Sequence, residues 1–231
     1  MRMMTAAVAL AAAFGLASPA LAGSAEGKLQ IKVLGTAVLP DGGLEKVVSA
    51  SPAVAAALPA GADTKADDNY VPTVAIEYFF NPNVSLETIC CVTQHDVDGA
   101  GALASAKGLV SNAMIIPATF TLKYHLATGS GIKPYIGAGP SYFLIFSEGP
   151  GATARALGST KMKMSNAFGV ALQAGVDIPV NSTGLSVSFD AKRYFLQDVK
   201  ARWYDAGGNT VLDTRHKLDP WVLSAGLAYR F

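Results

Sequence analysis

The stretch that decides the fold is the end of the chain, "KLDPWVLSAGLAYRF", residues 217–231. Its large apolar side chains share one parity and alternate with smaller or polar residues: Trp221, Leu223, Leu227, Tyr229 and Phe231. A period of two predicts a β-strand with one apolar face. Because chain termini normally fray unless something holds them, we expect this strand to be paired and its apolar face to be covered.

Other segments of the chain show the same period of two. In "TVAIEYFF" (73–80) and "TFTLKYHL" (119–126), large apolar residues occupy one parity, and the other parity carries charged or smaller residues in most positions. The complete set of predicted strands is 28–39, 73–80, 84–91, 119–126, 132–146, 167–180, 184–195 and 221–231. Alternation of this kind occurs both in soluble sandwiches and in closed barrels.

The lengths of the connections favour the barrel. Short turns at 81–83, 127–131 and 181–184 alternate with long connections at 40–69, 92–113, 147–164 and 196–216. Short turns on one side and long loops on the other, with an even number of strands, are typical of outer-membrane barrels. We therefore predict an all-β fold, an eight-stranded antiparallel transmembrane β-barrel with short periplasmic turns and four long extracellular loops.

The last strand also has the right length. From Trp221 to Phe231 the chain extends roughly 33 Å at about 3.3 Å per residue, and a tilt near 40° projects this onto about 25 Å, the height of the apolar band. Trp221 at one end and Tyr229 with Phe231 at the other are then expected in the two aromatic girdles.

The N-terminus has the pattern of a cleaved secretory signal. Arg2 precedes an apolar run over residues 5–17, and "ALA" at 20–22 supplies small residues at a cleavage site. The run is shorter than the roughly 20 residues that span a bilayer. We expect residues 1–22 to be removed, residues 23–231 to form the barrel, and the protein to lie in the outer membrane of a Gram-negative cell.

Composition and the reactive residues exclude several functions. The formal charge is +1 and no basic stretch is visible along the sequence, so nucleic acid is not an expected partner. Cys90 and Cys91 are neighbours whose side chains point to opposite faces of a strand, which disfavours a disulfide. We predict no metal and no cofactor. His95 and His216 fall in long connections, where histidines are usually solvated, and His125 has no serine two positions along its face, so we expect no enzyme.

Several motifs resemble the OmpW family of small outer-membrane barrels. They are "YFFNPNVSLET", "IIPATFTLKYHL", "KPYIGAGPSYF", "GVALQAGVDIPV" and "LDPWVLSAGLAYRF", in register with the predicted strands. The resemblance implies a narrow, largely apolar lumen that admits small hydrophobic compounds and releases them sideways into the membrane. The ending "SAGLAYRF", with Gly226, Tyr229 and Phe231, also resembles the signal read by the barrel-assembly machinery, which is therefore an expected partner.

The inward parity supplies the candidate ligand residues. Ile89 stands in the place of an inward aliphatic of the family, and Tyr194 lies near an inward aromatic, so the resemblance implies that the two narrow the lumen. Phe79, Tyr135 and Phe143 share this parity and predict an apolar upper pocket. The alternative for Ile89 and Tyr194 is that they simply fill a lumen that is barely wide enough for side chains.

Charged residues also lie on the inward parity, which departs from a purely apolar channel. They are Glu77, Glu87, Lys123, Asp190, Lys192 and Arg230. Buried opposite charges are expected to pair. We therefore predict a plug of salt bridges in preference to an ion pathway.

Pro117 lies in the extracellular half of the fourth predicted strand. It cannot donate to the hydrogen-bond ladder, so it predicts either a lateral opening in the wall or a strand that begins just after it. The predicted function is a narrow channel or pocket for small hydrophobic molecules, surrounded by outer-membrane lipid and lipopolysaccharide. The alternatives are a sealed structural or adhesive barrel acting through its loops and a lipid A-modifying enzyme; the oligomeric state stays open.

Overall fold

The computed structural model describes residues 27–128 and 131–231. Its elements are β1 (Leu29–Leu39), β2 (Leu44–Ala50), α1 (Pro52–Ala57), β3 (Ala62–Ala66), β4 (Asn69–Asn81), β5 (Val84–Cys90), β6 (Thr93–Gly101), β7 (Val110–His125), β8 (Lys133–Phe146), β9 (Gly149–Pro150), α2 (Ala152–Ala156), β10 (Lys161–Met164), β11 (Ala167–Pro179), β12 (Leu185–Leu196), β13 (Val199–Tyr204), β14 (Thr210–His216) and β15 (Trp221–Arg230). The predicted signal peptide, residues 1–22, lies outside the described residues. No helix in the described ranges is long and apolar enough to cross a membrane.

Eight of the strands close into an antiparallel barrel, in the order β1, β4, β5, β7, β8, β11, β12, β15 and back to β1. The predicted fold class is thus confirmed. The last strand pairs with β1 from Leu39–Trp221 to Gln30–Arg230 and with β12 on its other side. The Phe231 N–H donates to the carbonyl oxygen of Leu29 at 2.7 Å, so the tail is held to its end.

The barrel is apolar outside and polar inside. On β7, Phe120 and Leu122 are 51% and 56% exposed, whereas Thr121 and Lys123 are each 1% exposed. This pattern is the reverse of that in a soluble protein and suits a wall surrounded by lipid.

The predicted long loops contain a good deal of β-structure. β10, β13, β14 and β2 form a separate four-stranded sheet in that order, which we call the extracellular sheet. β6 pairs with the upper part of β7, and β3 pairs with β6. The sequence did carry a signal for the β13–β14 hairpin, because "KARWY" alternates and is followed by "DAGGN", in which Gly208 has a φ of 81°.

Pro117 lies inside a strand. β7 begins at Val110 rather than at 119, so the prediction that a strand starts just after Pro117 is wrong. On the β8 side, Pro117 occupies a ladder position opposite Phe143. The strand continues on both sides of the proline because its other residues are paired.

The wall is interrupted on the other side of Pro117. Pairing of β5 with β7 ends at Ile89–Thr119, and pairing of β6 with β7 begins at Thr93–Ile115. Residues 90–92 and 116–118, which we call the wall gap, form no ladder with each other in the described part of the chain. A proline at the centre of the gap explains the break, because it has no N–H to donate.

Two apolar clusters lie above the middle of the barrel. One fills the upper lumen around Phe143, Tyr194 and Val222. The other lies beneath the extracellular sheet and includes Trp203 and Met162. The extracellular sheet therefore has its own core and is not a set of solvated loops.

Candidate functional site in the barrel lumen

A network of buried charges fills the lower, periplasmic half of the lumen. The Lys123 Nζ lies 2.8 Å from Glu77 Oε2 and 2.9 Å from Glu87 Oε2. The Lys32 Nζ lies 3.3 and 3.5 Å from the same two oxygens. Glu77 and Glu87 face each other across β4 and β5, where like charges repel. Two lysines close to both carboxylates offset this repulsion.

The network extends across the lumen to the opposite wall. The Lys192 Nζ lies 2.6 Å from Asp190 Oδ1 and 3.0 Å from Glu87 Oε1. Gln173 Nε2 donates to Glu87 at 2.9 Å and to Asp190 at 2.5 Å. The Lys32 Nζ lies 3.1 Å from Asp177 Oδ1. Direct ion pairs and hydrogen bonds therefore join opposite walls of the barrel.

The charges of this region balance. We call its eight charged residues the plug: Lys32, Lys123, Lys192, Arg230, Glu77, Glu87, Asp177 and Asp190, all of them buried. Burying charge is costly unless it is paired, and four cations here match four carboxylates. The sequence-based set omitted Lys32 and Asp177, although the inward parity of β1 and β11 was the signal that would have found them.

Two glycines make room for this network. Gly137 lies opposite Lys123 in the ladder, and a Cβ there would come within 2.9 Å of the Lys123 Cγ. Gly175 lies opposite Tyr135, and a Cβ there would collide with the Tyr135 hydroxyl. The tyrosine uses this space to lie beside the Lys123 ammonium, 3.7 Å from its ring centroid, and to donate to Asp190 at 2.8 Å.

A serine, a histidine and a glutamate meet in the plug, which sequence proximity did not predict. Ser85 Oγ and Glu77 Oε1 each lie 2.9 Å from the same ring nitrogen of His125, Nε2. In a hydrolase triad the acid binds the other nitrogen, so that the first can accept the serine proton. Here Nδ1 has no hydrogen-bond partner among the described residues. The geometry is that of a buried hydrogen-bonded cluster.

Two residues predicted for the upper pocket lie in the lower half instead. Phe79 is near the periplasmic end of β4, with its ring centroid 5.0 Å from that of His125 and 3.5 Å from the guanidinium of Arg230. Tyr135 is near the start of β8, among the charges. Parity gives the side of a strand that a residue faces but not its height, which depends on the direction of the strand and its stagger.

The other three predicted ligand residues lie above the plug. The ring centroid of Tyr194 is 5.0 Å from that of Phe143 in an edge-on contact. The Tyr194 hydroxyl lies 3.3 Å from Thr119 Oγ1 on the wall opposite, and Thr119 faces Ile89 in the ladder. Ile89 and Tyr194 are each one inward-facing position above a charged residue of the plug. They form the boundary between the polar and the apolar halves of the lumen.

A small cavity connects this apolar half to the wall gap. It has a volume of about 50 Å³ and is lined by Cys91, Pro117, Phe143 and Val222, among others. Cys91 is buried and Cys90 is exposed, and both are free thiols. The two cysteines thus point to opposite sides, as predicted, where β5 ends and the wall gap begins.

Further cavities lead from this point to the extracellular sheet. The uppermost, of about 250 Å³, is lined by Val54, Leu157, Trp203 and His216 among others. A second cavity of about 50 Å³ shares His216 with the uppermost one and shares Met164 with the cavity at the wall gap. Three neighbouring cavities with shared walls therefore follow one another down to the gap.

The histidines of the long connections are not fully solvated as predicted, since His95 is buried and His216 is half-buried. His95 Nδ1 lies 2.7 Å from the Asp67 carbonyl oxygen. His216 lies between two hydroxyls, with Nδ1 3.1 Å from Thr64 Oγ1 and Nε2 2.7 Å from Thr214 Oγ1. Burial lowers the pKa of His216 to about 4. The imidazole beside the uppermost cavity is therefore neutral at physiological pH.

The predicted girdle residues lie at the two ends of β15. Trp221 is 45% exposed on the outer surface, and the Arg193 guanidinium lies 5.3 Å from its ring centroid. At the other end, the Tyr229 and Phe231 rings meet edge-on with centroids 4.8 Å apart. Between them, a Cβ at Gly226 would collide with the carbonyl oxygen of Val33 on β1, so β1 and β15 approach closely there.

Comparison with known proteins gives consistent results. The model of the OmpW family matches residues 25–231. The uncharacterized outer-membrane protein y4mB of Sinorhizobium fredii is 33% identical over 229 residues, which is 96% of this chain and 90% of that protein. Outer membrane protein W of Vibrio cholerae is 24% identical over 160 residues, 68% of this chain and 72% of that protein.

Solved structures show the same fold. The outer membrane protein OprG from Pseudomonas aeruginosa superposes with a TM-score of 0.75 at 24% identity, covering 90% of this chain and 98% of that one. The outer membrane protein AlkL, determined in lipid bilayers, gives a TM-score of 0.66 at 22% identity, with 91% and 92% covered. These likenesses establish the architecture of the barrel.

Proposed function

From the premise that this chain belongs to the OmpW family and is an outer-membrane barrel, we propose that it takes up small hydrophobic molecules at its extracellular side and releases them sideways into the membrane through the wall gap. The observation that carries this proposal is the series of cavities from Trp203 and His216 down to Pro117. The series ends beside the break in the wall.

The plug supports sideways release over direct passage. A molecule that reaches the level of Ile89 and Tyr194 has beneath it side chains joined by ion pairs, and an apolar molecule gains nothing by separating them. These two residues are the floor of the pocket in this proposal. The wall gap offers an exit at nearly the same height, because it begins directly after Ile89 on the same chain.

The geometry gives catalysis no support. The Ser85–His125–Glu77 cluster is buried inside the plug, whereas lipid A surrounds the outer surface of the barrel. We therefore infer a role in transport without chemical conversion of the ligand.

Pro117→Thr tests the proposal. Threonine supplies the missing N–H and a β-branched side chain that favours pairing, so the ladder is expected to close across the gap. We expect cells that carry this variant as their only copy to accumulate a fluorescent hydrophobic dye several-fold more slowly than cells with the parent. The amount of folded protein, seen as a band that shifts on boiling, serves to normalise the rates.

Pro140→Thr is the matched control. Pro140 also lies at a short interruption, between Thr119–Ser141 and Leu122–Ala138 of the β7–β8 ladder. The backbones remain close there, because a Cβ at Gly139 would collide with the carbonyl oxygen of Phe120. Dye uptake should therefore match that of the parent. Equal rates in parent, Pro117→Thr and a strain without the protein would contradict uptake and point to the sealed barrel that acts through its extracellular elements.

A further inference from the structure

The extracellular sheet brings together basic residues that are far apart in the sequence. Lys200 on β13 lies opposite Arg215 on β14, and Arg215 lies opposite Lys46 on β2. Cross-strand neighbours share a face of the sheet, so three cations form one row across three strands. We call Lys46, Lys200 and Arg215 the basic row. The sequence shows no basic stretch because these residues become neighbours only when the three strands pair.

More cations continue this surface towards the edge of the sheet. Lys163 on β10 lies opposite Arg202 on β13, and Lys161 precedes it on the same face. Arg202 is ion-paired with Asp213, its Nε 2.6 Å from Oδ2. Exposed Asp198, just before β13, and exposed Glu45, next to Lys46 on β2, add negative charge near the row. The cations outnumber these carboxylates, so the face is positive overall.

The basic row points away from the protein core. Lys200 and Arg202 are exposed, whereas Ala201 and Trp203 between and beyond them are buried in the cluster beneath the sheet. The row therefore lies on the outer surface, opposite to the uppermost cavity and separate from the proposed passage.

The three cations of the basic row repel one another. Like charges directly opposite each other destabilise a sheet, and within the described part of the chain none of these three side chains is ion-paired. The chain from Arg215 to the girdle residue Trp221 spans at most roughly 20 Å. The anions available at this height around an outer-membrane barrel are the phosphorylated head groups of the outer leaflet.

We propose that the basic row binds the phosphate groups of lipopolysaccharide in the outer leaflet. Arginine and lysine are the side chains that recognise phosphate, and a row of them next to a membrane surface attracts anionic lipid. The bound glycolipid supplies negative charge to the three cations of the row. It also covers the outer face of the extracellular sheet and holds this sheet against the membrane.

Binding of lipopolysaccharide to the refolded full chain in a zwitterionic detergent tests this proposal. Native mass spectrometry or a gel shift gives the apparent Kd for intact lipopolysaccharide and for the same lipid after phosphatase treatment. We expect the triple variant K46Q/K200Q/R215Q to bind intact lipid on the order of 100-fold more weakly, because each cation contributes about fivefold in affinity. Its fold is checked by the shift of the band on boiling.

The matched control is K65Q/K107Q/R155Q. These three cations are exposed: Lys65 lies on β3, Lys107 in the connection after β6, and Arg155 on α2. The substitutions remove the same number of positive charges as the basic-row variant, but outside the extracellular sheet. Their variant should bind like the parent. Equal weakening of binding in both triple variants would show that net charge alone determines the affinity, and it would contradict a binding site at the basic row.

Two measurements on the unaltered protein bear on the source of the phosphate. Phosphatase-treated lipid should bind as weakly as intact lipid binds to the basic-row variant. Millimolar inorganic phosphate should fail to displace the intact lipid. Equal affinity for treated lipid, or complete displacement by inorganic phosphate, would refute lipopolysaccharide as the ligand.

Discussion

Lys123 is a residue on which the plug depends, because its ammonium group contacts two carboxylates that face each other. Lys123→Met keeps much of the volume but leaves a buried like-charge pair with less compensation. Breaking a buried ion pair by removing one partner costs about 3–5 kcal/mol. We expect a lower urea midpoint for unfolding of the barrel in detergent, followed by the loss of the heat-shifted band.

A second variant separates charge from packing. In K123M/E87Q one carboxylate is neutralised together with the lysine, so part of the lost stability should return. If Lys123→Met unfolds at the same urea concentration as the parent, the plug does not stabilise the barrel as described.

His216 provides a prediction about pH. In the unfolded chain a histidine takes up a proton below about pH 6.5, whereas burial lowers the pKa of His216 to about 4 in the folded protein. Between these values the unfolded state binds more protons, so the stability of the extracellular layer should fall as the pH decreases from about 6.5 to about 4. Below this range the folded state is protonated too, and this contribution becomes constant.

The fluorescence of Trp203 reports this titration. Its ring centroid lies 6.5 Å from that of His216, and Trp221→Phe leaves it as the single tryptophan, because the chain has 2. We expect a change in emission with a midpoint near pH 4, absent in the additional variant His216→Gln. A midpoint near 6.5 would show that His216 is solvated, as the sequence alone had suggested.

The side of a strand that a residue faces was readable from the sequence, but its height and its partners were not. The inward parity correctly separated Lys123 from Leu122. It did not show that Phe79 and Tyr135 lie among the charges, or that Ser85 meets His125, because contacts between strands depend on the register. Alternation within one strand excludes a shift by one residue, because such a shift would reverse the two faces, but it does not exclude a shift by two residues.

At the scale of elements, the C-terminal strand was the most predictable part of the fold. Its alternation, its length and its terminal aromatics together indicate a strand that crosses a bilayer. The extracellular sheet was the least predictable, since its strands are short, several are interrupted by bulges, and their apolar residues pack on one another instead of facing lipid.

Deleting Phe231 tests the role of this strand end in assembly. The deletion removes the hydrogen bond to Leu29 and the ring that meets Tyr229, together with the residue expected to complete the signal for the assembly machinery. The amount of folded barrel in outer-membrane fractions should fall sharply, measured as the band that shifts on boiling.

Phe195→Ala serves as the comparison for this deletion. It removes another exposed aromatic, 48% accessible, from the outside of the barrel but leaves the chain end intact. Its yield should stay near that of the parent. Equal losses in the two variants would mean that aromatic area, and not the strand end, limits assembly.

For the molecule as a whole, the plug and the apolar pocket should respond separately to mutation. Shortening both Ile89 and Tyr194 to alanine enlarges the pocket above the plug without touching a charge. We expect faster uptake of hydrophobic dye, while the ion conductance of the protein in planar bilayers stays as low as that of the parent. Leu122→Ala on the lipid side should alter neither quantity.

Conductance that rises together with uptake would contradict this division, because it would mean that ions pass the plug once the pocket is wider. Unchanged uptake in a folded double variant would show that the two side chains do not limit the passage.

The distribution of the plug over the barrel has a consequence for how faithfully the protein assembles. Seven of the eight barrel strands each supply the plug with at least one charged side chain, and β8 supplies the Tyr135 hydroxyl that donates to Asp190. A strand that slips by one residue turns all its side chains to the opposite face, which would expose a charge such as Lys32 to hydrocarbon at about 2–4 kcal/mol near the midplane. Its former partners would be left unpaired. A shift of any strand that carries a plug charge therefore destabilises the barrel, so the plug favours assembly with the correct register.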